Sequence, residues 1–181
     1  MTARACPAWY HEDNVFRTRQ RMDRAHRPIV ALACRTLRGR GGDVIDLGCG
    51  NGALLAKIHA LEPAATPFGV ERDPLRVAHA RALLPAFADH LFAADLFSHP
   101  WLASERRFGL AILSPRRLEE AEPAAAERLL GWLRARCDRL LVYAYGRGRT
   151  EFGDLAGFAR AVGIELEGGE GDARAALARR G

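Results

Sequence analysis

The 181-residue sequence has no long apolar segment. Its apolar runs are short and broken by charged residues, so neither a membrane-spanning helix nor a signal peptide is recognisable. We therefore expect a cytoplasmic protein with no membrane partner.

Paired cysteines are missing as well. The four cysteines, Cys6, Cys34, Cys49 and Cys137, are far apart and form no CxxC pair. This spacing predicts neither a zinc site nor a disulfide framework. We expect free thiols and no bound metal.

Lysine is nearly absent, because Lys57 is the only one and the formal charge of +5 comes from arginine. The arginines are scattered along the chain, whereas nucleic-acid binding favours a clustered patch. Nucleic acid is therefore an alternative partner that we do not favour. With 49% hydrophobic and 27% charged residues, the composition and length are typical of one globular domain.

A glycine-rich stretch dominates what is present. Residues 44–52, VIDLGCGNG, predict a short buried strand and a turn, and residues 53–61 carry leucine and isoleucine at helical spacing. Alternate glycines let a ligand approach backbone amides, and the helix start offers free N–H groups. Read as Gly48-x-Gly50-x-x-Ala53, the loop fits a dinucleotide fingerprint, although so short a chain leaves no room for the separate substrate domain of an oxidoreductase.

Read from Asp46 onward as Asp-x-Gly-x-Gly-x-Gly, the same stretch resembles the glycine loop of the class I S-adenosylmethionine-dependent methyltransferases. The resemblance extends from about residue 40 to residue 181. It implies S-adenosyl-L-methionine as cofactor, S-adenosyl-L-homocysteine as product, and Asp46 as a contact of the methionine part. The implied loop contacts are Gly48, Cys49, Gly50, Asn51 and Gly52.

Acidic residues also follow the next two predicted strands. Glu71 directly follows a predicted strand over 66–70 and lies about 20 residues beyond the loop. At this position a carboxylate can accept hydrogen bonds from both ribose hydroxyls. Arg72 beside it is a further candidate contact. Asp95 follows a strand over 90–94, and the resemblance implies that it accepts from the adenine amino group while Leu96 supports the ring. Ligands bind at the carboxyl ends of such strands.

The fourth predicted strand, 108–113, ends in Ser114-Pro115-Arg116-Arg117. Methyltransferases that act on exocyclic nucleobase or amide nitrogens carry Asn or Asp, two prolines and an aromatic residue here, so this sequence departs from that pattern. The departure counts against nucleobase N-methylation. The two arginines could hold a carboxylate or phosphate of the acceptor, or pair with nearby glutamates.

Other acceptor-side candidates lie near the two ends of the predicted domain. Tyr10, His11 and Arg17 precede the first strand, and Tyr145 ends the fifth. Tyr10, His11 and Tyr145 are candidates for a general base, which is needed only if the acceptor must lose a proton. Ser114 is assigned to both the cofactor and the acceptor side.

The predicted fold is α/β, doubly wound, with a mostly parallel seven-stranded sheet, helices on both faces and an N-terminal helical cap. We expect the cap over residues 1–40 and the cofactor-binding core over 41–181. Within the cap, one helix is predicted over residues 12–26 and a second from Pro28. At the other end, residues 164–167 predict a strand. Residues 173–179 have the propensity of a helix, but the resemblance implies a terminal antiparallel hairpin, so we expect an edge strand there.

The resulting hypothesis is a methyltransferase that acts on an N, O, S or C atom of a small molecule, which could carry an anionic group. The alternatives are an RNA- or protein-directed methyltransferase and a non-catalytic member that binds cofactor or a partner. Strong salt dependence of binding would indicate nucleic acid. Loss of Asp46, Glu71 and Asp95 would indicate a non-catalytic member, and all three are present.

Overall fold

The structure is a computed structural model. It describes residue 16 and residues 18–97, 105–145 and 154–162, and it describes residues 166–170 and 175–179 as backbone. None of the helices in these ranges has the length and hydropathy to span a membrane. Tyr10, His11 and Arg17 lie outside the described residues.

Helices and strands alternate along the chain. The helices are α1 Arg19–Leu37, α2 Ala53–Leu61, α3 Pro74–Leu83, α4 Arg116–Glu119, α5 Pro123–Arg136 and α6 Leu155–Ala161. The strands are β1 Gly42–Leu47, β2 Ala65–Glu71, β3 Leu91–Ala93, β4 Leu110–Leu113, β5 Arg139–Tyr143, β6 Leu166–Glu170 and β7 Ala175–Arg179. A short 3-10 helix, Pro85–His90, precedes β3.

The strands lie in the order β3-β2-β1-β4-β5-β7-β6. The first five are parallel, which confirms the predicted α/β class with a mostly parallel sheet. The expected total of seven is reached only with the antiparallel β6 and β7. Residues 173–179 do contain a strand, β7, but the expected position at the edge is wrong, because β7 pairs with β5 on one side and β6 on the other, and β6 forms the edge.

Neighbouring residues of each strand point to opposite faces of the sheet. Val44 on β1 and Ile112 on β4 pack in a core with α1, α2 and α3. Ile45 and Leu113, one residue further along, pack in a second core with α5 and α6. Both faces of the parallel strands are therefore covered by helices, as parallel sheets require.

The prediction of two helices meeting at Pro28 is wrong, since α1 runs continuously through that proline. A proline inside a helix removes one hydrogen bond and costs about 3 kcal/mol. Here Ile29, Ala33 and Leu37 are buried in the same core as α2, and this burial offsets the cost. Thr18 caps the start by accepting a hydrogen bond from the N–H of Arg21 at 3.2 Å.

Candidate functional site

The acidic residues at the carboxyl ends of β1, β2 and β3 lie at one edge of the sheet. Asp46 and Glu71 are buried, with 1% and 4% of their surface exposed, whereas Asp95 is exposed. The chain leaves β1 towards β2 on one side and later returns to its other side as β4. This reversal of strand order opens a crevice at the carboxyl ends of the strands, which is where open α/β sheets bind ligands.

The glycine loop is fastened to the end of β2. The N–H groups of Gly48 and Cys49 both donate to the carbonyl oxygen of Val70, at 2.8 and 3.0 Å. The carboxylate of Glu71 accepts from the N–H of Gly50 at 3.1 Å and from the N–H of Asp73 at 3.1 Å. Each of its oxygens keeps one lone pair, so Glu71 can hold the loop and a ligand hydroxyl together.

The three loop glycines have positive φ angles but different surroundings. A Cβ on Gly50, at φ +54°, would meet no atom within 4 Å. A Cβ on Gly52 would lie 2.9 Å from the Cβ of Ala80 in α3. Gly50 therefore leaves room for a ligand, whereas Gly52 lets α2 pack closely on α3 and does not line either cavity at this edge.

Two cavities open beside the loop. The larger has a volume of about 460 Å³ and contains Asp46, Asn51 and Ser114 in its wall. The smaller, of about 280 Å³, is lined by Asp95, Leu96 and neighbouring residues. Both are lined by Gly48, Glu71, Arg72 and Arg117, so the two cavities adjoin, and together they are called the depression.

Asp46 is the carboxyl group with the most perturbed pKa in this depression. Burial, and then the neighbouring carboxylate of Glu71, raises the pKa of Asp46 to about 7, although Arg117 acts in the opposite direction. Its buried Oδ1 has no hydrogen-bond partner among the described residues. The amide nitrogen of Asn51 is unpaired in the same way, while its Oδ1 accepts from the N–H of Ala53 at 3.3 Å. A buried polar atom without a hydrogen-bond partner destabilises a protein. Both residues line the larger cavity, where a polar ligand could supply the missing hydrogen bonds.

The two consecutive arginines after β4 both line the larger cavity but differ in their partners. Nε of Arg116 donates to Oε1 of Glu120 at 2.6 Å, and the Arg116 side chain is 80% exposed. Arg117 instead lies over Gly48, and its guanidinium forms no hydrogen bond or ion pair with a described residue. Of these two arginines, it is therefore Arg117 that presents an unpaired guanidinium to the depression.

Two of the predicted cofactor-binding residues, Cys49 and Asp95, make contacts within the protein. Sγ of Cys49 lies 2.7 Å from the position of a Cβ on Gly69, and burial raises the pKa of this thiol well above its usual value. Its side chain thus packs the loop against β2. Asp95 accepts from the N–H of Phe97 at 2.8 Å, which orders the turn after β3.

Aromatic side chains close the far wall of the larger cavity. The rings of Tyr143 and Tyr145 lie 5.0 Å apart, and Phe16 lies 4.9 Å from Tyr145. Burial raises the pKa of Tyr143 well above its usual value. Desolvation, and then Asp46, also raises the pKa of Tyr145. The predicted base Tyr145 is therefore held in its protonated form near neutral pH.

Sequence reasoning missed His26 and Tyr143, which both line this cavity. His26 lies in the middle of α1, where its only sequence signal is helical spacing from buried neighbours such as Met22 and Ile29. Tyr143 reads as an ordinary buried strand residue. Only the packing of α1 across the sheet brings them together at the cavity.

No family model matches the chain. A trans-aconitate 2-methyltransferase of Escherichia coli O1:K1 / APEC is 39% identical over 71 residues, which are 39% of this chain and 27% of that protein. The enzyme of the same name from E. coli O157:H7 is 41% identical over 59 residues, 33% of this chain and 23% of that protein. The chain thus spans about a quarter of the length of the curated relatives it matches.

Solved structures match over most of the chain. One is magnesium protoporphyrin IX methyltransferase (ChlM) from Synechocystis PCC 6803 with bound SAH, with a TM-score of 0.62 at 16% identity. The match covers 96% of this chain and 91% of that protein's chain. N-methyltransferase NodS from Bradyrhizobium japonicum WM9 with bound SAH has a TM-score of 0.62 at 13% identity, covering 86% of each chain. The pyocyanin biosynthetic protein PhzM has a TM-score of 0.63 at 21% identity and covers 88% of this chain and 56% of its own. With the glycine loop and the acidic strand ends at one edge of the sheet, these likenesses confirm that the chain has the Rossmann-like fold of the class I S-adenosylmethionine-dependent methyltransferases.

Proposed function

We propose that this protein is an S-adenosylmethionine-dependent methyltransferase acting on a small molecule with an anionic group. The observation that carries the proposal is Asp46, a buried carboxylate whose Oδ1 is unpaired among the described residues and which lies beside the glycine loop. A carboxylate in this state suits the positively charged amino group of the methionine part, because charge-assisted hydrogen bonds are strong where water is excluded.

The shape of the depression supports the cofactor. Its two cavities share Glu71, so one ligand with an amino-acid end, a ribose and a base can lie across both. Asp46 and Asn51 then serve the amino-acid end, Glu71 and Arg72 the ribose, and Asp95 with Leu96 the adenine. Gly48 and Gly50 let that ligand approach the backbone.

The cofactor supplies the reactive methyl group on a sulfonium. A lone pair of the acceptor forms a bond to the methyl carbon, the carbon–sulfur bond breaks, and its electron pair stays on sulfur to give S-adenosyl-L-homocysteine. The protein aligns the two reactants and excludes water.

The acceptor side rests on Arg117. Its guanidinium lines both cavities and has no ion pair among the described residues, so it is available for an anionic group. The similarity to the trans-aconitate 2-methyltransferases, although limited to 71 residues of this chain, agrees with a small anionic acceptor. Tyr10, His11 and Arg17 remain candidates for the part of the acceptor pocket within residues 1–40, the segment that we propose as the cap of the core at 41–181.

Calorimetric titration with S-adenosylmethionine, S-adenosylhomocysteine and NAD tests the cofactor. We expect the first two to bind, NAD to be silent, and Asp46→Asn to weaken S-adenosylmethionine binding about tenfold or more through loss of a charged hydrogen bond. Glu127→Ala, a change at a carboxylate that is 73% exposed on α5, is the matched control. Binding of NAD alone would show an oxidoreductase instead.

Transfer of a labelled methyl group tests turnover. A panel of small carboxylates and phosphates, the neutral ester of each, a total RNA fraction and a protein mixture would be offered with labelled S-adenosylmethionine. Label in the anionic small molecules alone supports the proposal. Label in RNA or protein would contradict the acceptor class, and cofactor binding without transfer to any acceptor offered would contradict the enzymatic assignment.

A further inference from the structure

A chain of three polar side chains joins α1 to α2 at the wall of the larger cavity. Nζ of Lys57 donates to Oδ1 of Asp23 at 2.6 Å, and the same Nζ lies 3.2 Å from Nδ1 of His26. His26 is 4% exposed and Lys57 is the only lysine of the chain. The contacts tie the middle of α1 to α2 and bring the imidazole to the cavity.

The partner on Nδ1 determines which nitrogen of His26 carries the proton. The ammonium group of Lys57, held by Asp23, has donors only. Nδ1 of His26 must therefore accept, and in the neutral ring the hydrogen is on Nε2. Burial, and then the charge of Lys57, lowers the pKa of His26 to about 3, so the ring stays neutral at physiological pH.

The surroundings of the ring leave Nε2–H for the cavity. His26 lines the cavity and stacks beside Tyr145, with ring centroids 6.0 Å apart, and Phe16 meets it edge-on at 5.6 Å. Among the described residues, the imidazole ring of His26 forms no hydrogen bond other than the one with Lys57. A single fixed N–H donor therefore lies in a largely aromatic wall.

A ring in this state is unsuited to act as a general base. Its only lone pair, on Nδ1, already accepts from Lys57, and the nearby Tyr143 and Tyr145 have raised pKa values. An acceptor hydroxyl would have to lose a proton, but a carboxylate oxygen carries its negative charge already. Arg117, in the same cavity, matches that charge.

We propose that the methyl acceptor is a carboxylate and that His26 donates its Nε2–H to one of the acceptor's anionic oxygens, while Lys57 and Asp23 act as positioning residues that set the tautomer. This inference rests on the proposed methyltransferase function. A carboxylate oxygen forms the bond to the methyl carbon, the carbon–sulfur bond breaks with its electrons remaining on sulfur, and a methyl ester results. No proton is released from the acceptor.

Nitrogen NMR of the histidine rings in the ligand-free protein is the first test. We expect Nε2 of His26 to be the proton-bearing nitrogen, and Lys57→Met, which has a similar length but no donor, to mix the two tautomers. A proton on Nδ1 of His26 in the wild-type protein would overturn the inference. Because this measurement needs neither cofactor nor acceptor, it is independent of the proposed function.

Binding of carboxylates to the protein saturated with S-adenosylhomocysteine is the second test, with citrate, fumarate and phenylacetate as probes and triethyl citrate as the neutral control. We expect at least one carboxylate to bind and to shift the Nε2–H resonance of His26. His26→Leu should weaken that binding about tenfold or more, because a hydrogen bond to a charged group is lost. His26→Gln, which retains a terminal N–H, should restore most of it.

Separate outcomes identify the part that fails. His59→Gln is the matched control, because His59 lies on α2 with its Nδ1 3.0 Å from the carbonyl oxygen of Ala65, away from the cavity. Failure of the wild-type protein to bind S-adenosylhomocysteine contradicts the proposed function. Cofactor binding without binding of any of the three carboxylates, or equal carboxylate affinity in His26→Leu, contradicts the role given to His26. A loss of S-adenosylhomocysteine affinity in His26→Leu as large as the loss for the carboxylate would show a merely structural role.

Discussion

The backbone N–H of Gly50 donates to Oε2 of Glu71, 21 residues further along the chain, at 3.1 Å. This bond joins the glycine loop after β1 to the end of the neighbouring strand β2. It keeps the loop open over a cavity in which Asp46 has an unpaired oxygen among the described residues. Glu71 is thus part of the loop's support as well as a candidate ligand of the cofactor.

Replacing Glu71 tests both roles. Glu71→Ala should weaken S-adenosylmethionine binding by about 2 kcal/mol, because the substitution removes the buried carboxylate and with it the charge-assisted hydrogen bonds to the ribose and to the glycine loop. Calorimetry measures the affinity, and thermal unfolding shows whether the loop anchor also supports stability. Glu127→Ala serves as the surface control. An unchanged dissociation constant in folded Glu71→Ala removes Glu71 from the site.

The pKa of Asp46 makes cofactor binding depend on pH. Below about pH 7 the carboxyl is protonated in the free protein, and the charged amino group of the cofactor favours the ionised form. Binding should therefore release a proton, and affinity should rise with pH up to about 7 and then level off. Calorimetry in buffers of different ionisation enthalpy measures the proton release. The same pH dependence in Asp46→Asn would contradict this assignment.

Ionisation of Asp46 should favour cofactor binding but lower the stability of the folded protein. Folding raises the pKa of Asp46 from 3.8 to about 7. The stability that this group contributes to the folded state is therefore fully present below pH 3.8, and the free energy of unfolding falls as the pH rises to 7. Asp46→Asn, which cannot ionise, should raise the free energy of unfolding by up to ~4 kcal/mol at pH 8. The difference from the wild type should vanish near pH 4. Denaturant unfolding at both pH values measures this, and equal stability at pH 8 would be the contrary result.

Gly50 and Gly52 should respond differently to substitution. Gly50→Val places a branched side chain in the open space beside the loop at φ +54°, so we expect loss of cofactor binding together with ~1–2 kcal/mol of backbone strain. Gly50→Asn, which tolerates this conformation, separates obstruction from strain. Gly52→Ala should lower the melting temperature through its contact with Ala80 but leave the affinity of the folded fraction unchanged. Normal cofactor binding in folded Gly50→Val would contradict the loop assignment.

The two arginines after β4 allow a matched comparison. Arg117→Ala should raise KM for an anionic acceptor about tenfold or more, through loss of a charged contact, whereas Arg116→Ala should have little effect. The reason is that Arg116 is committed to an exposed pair with Glu120, and such pairs contribute little. Steady-state kinetics with an anionic acceptor and with its neutral ester measures the difference. Equal effects of the two substitutions would contradict it.

Much of the site follows from local sequence. The alternation of strands and helices predicted the mostly parallel sheet, and parallel strands bring their carboxyl ends to one edge. Asp46, Glu71 and the glycine loop could therefore be placed together from their spacing alone. Local signals also account for α5, Pro123–Arg136, because this helix begins at a proline and carries an apolar stripe.

Contacts between distant segments were decided by tertiary structure. The helix α1 tolerates Pro28 because its apolar face is buried in the core with α2, and helix propensity alone argues for a break there. The sequence alone also left open which of Arg116 and Arg117, both of which line the larger cavity, is engaged in an ion pair with a glutamate.

Strand and turn signals act over a few residues, so the order of amino acids was enough to predict the fold class and the edge of the sheet at which a ligand can bind. Only the tertiary structure brought His26 on α1 to Lys57 on α2 and to Tyr145 after β5. It also raised the pKa of Asp46, since burial beside Glu71 depends on the packing of whole strands. Desolvation and hydrogen bonding between distant segments exist only once the layers have assembled.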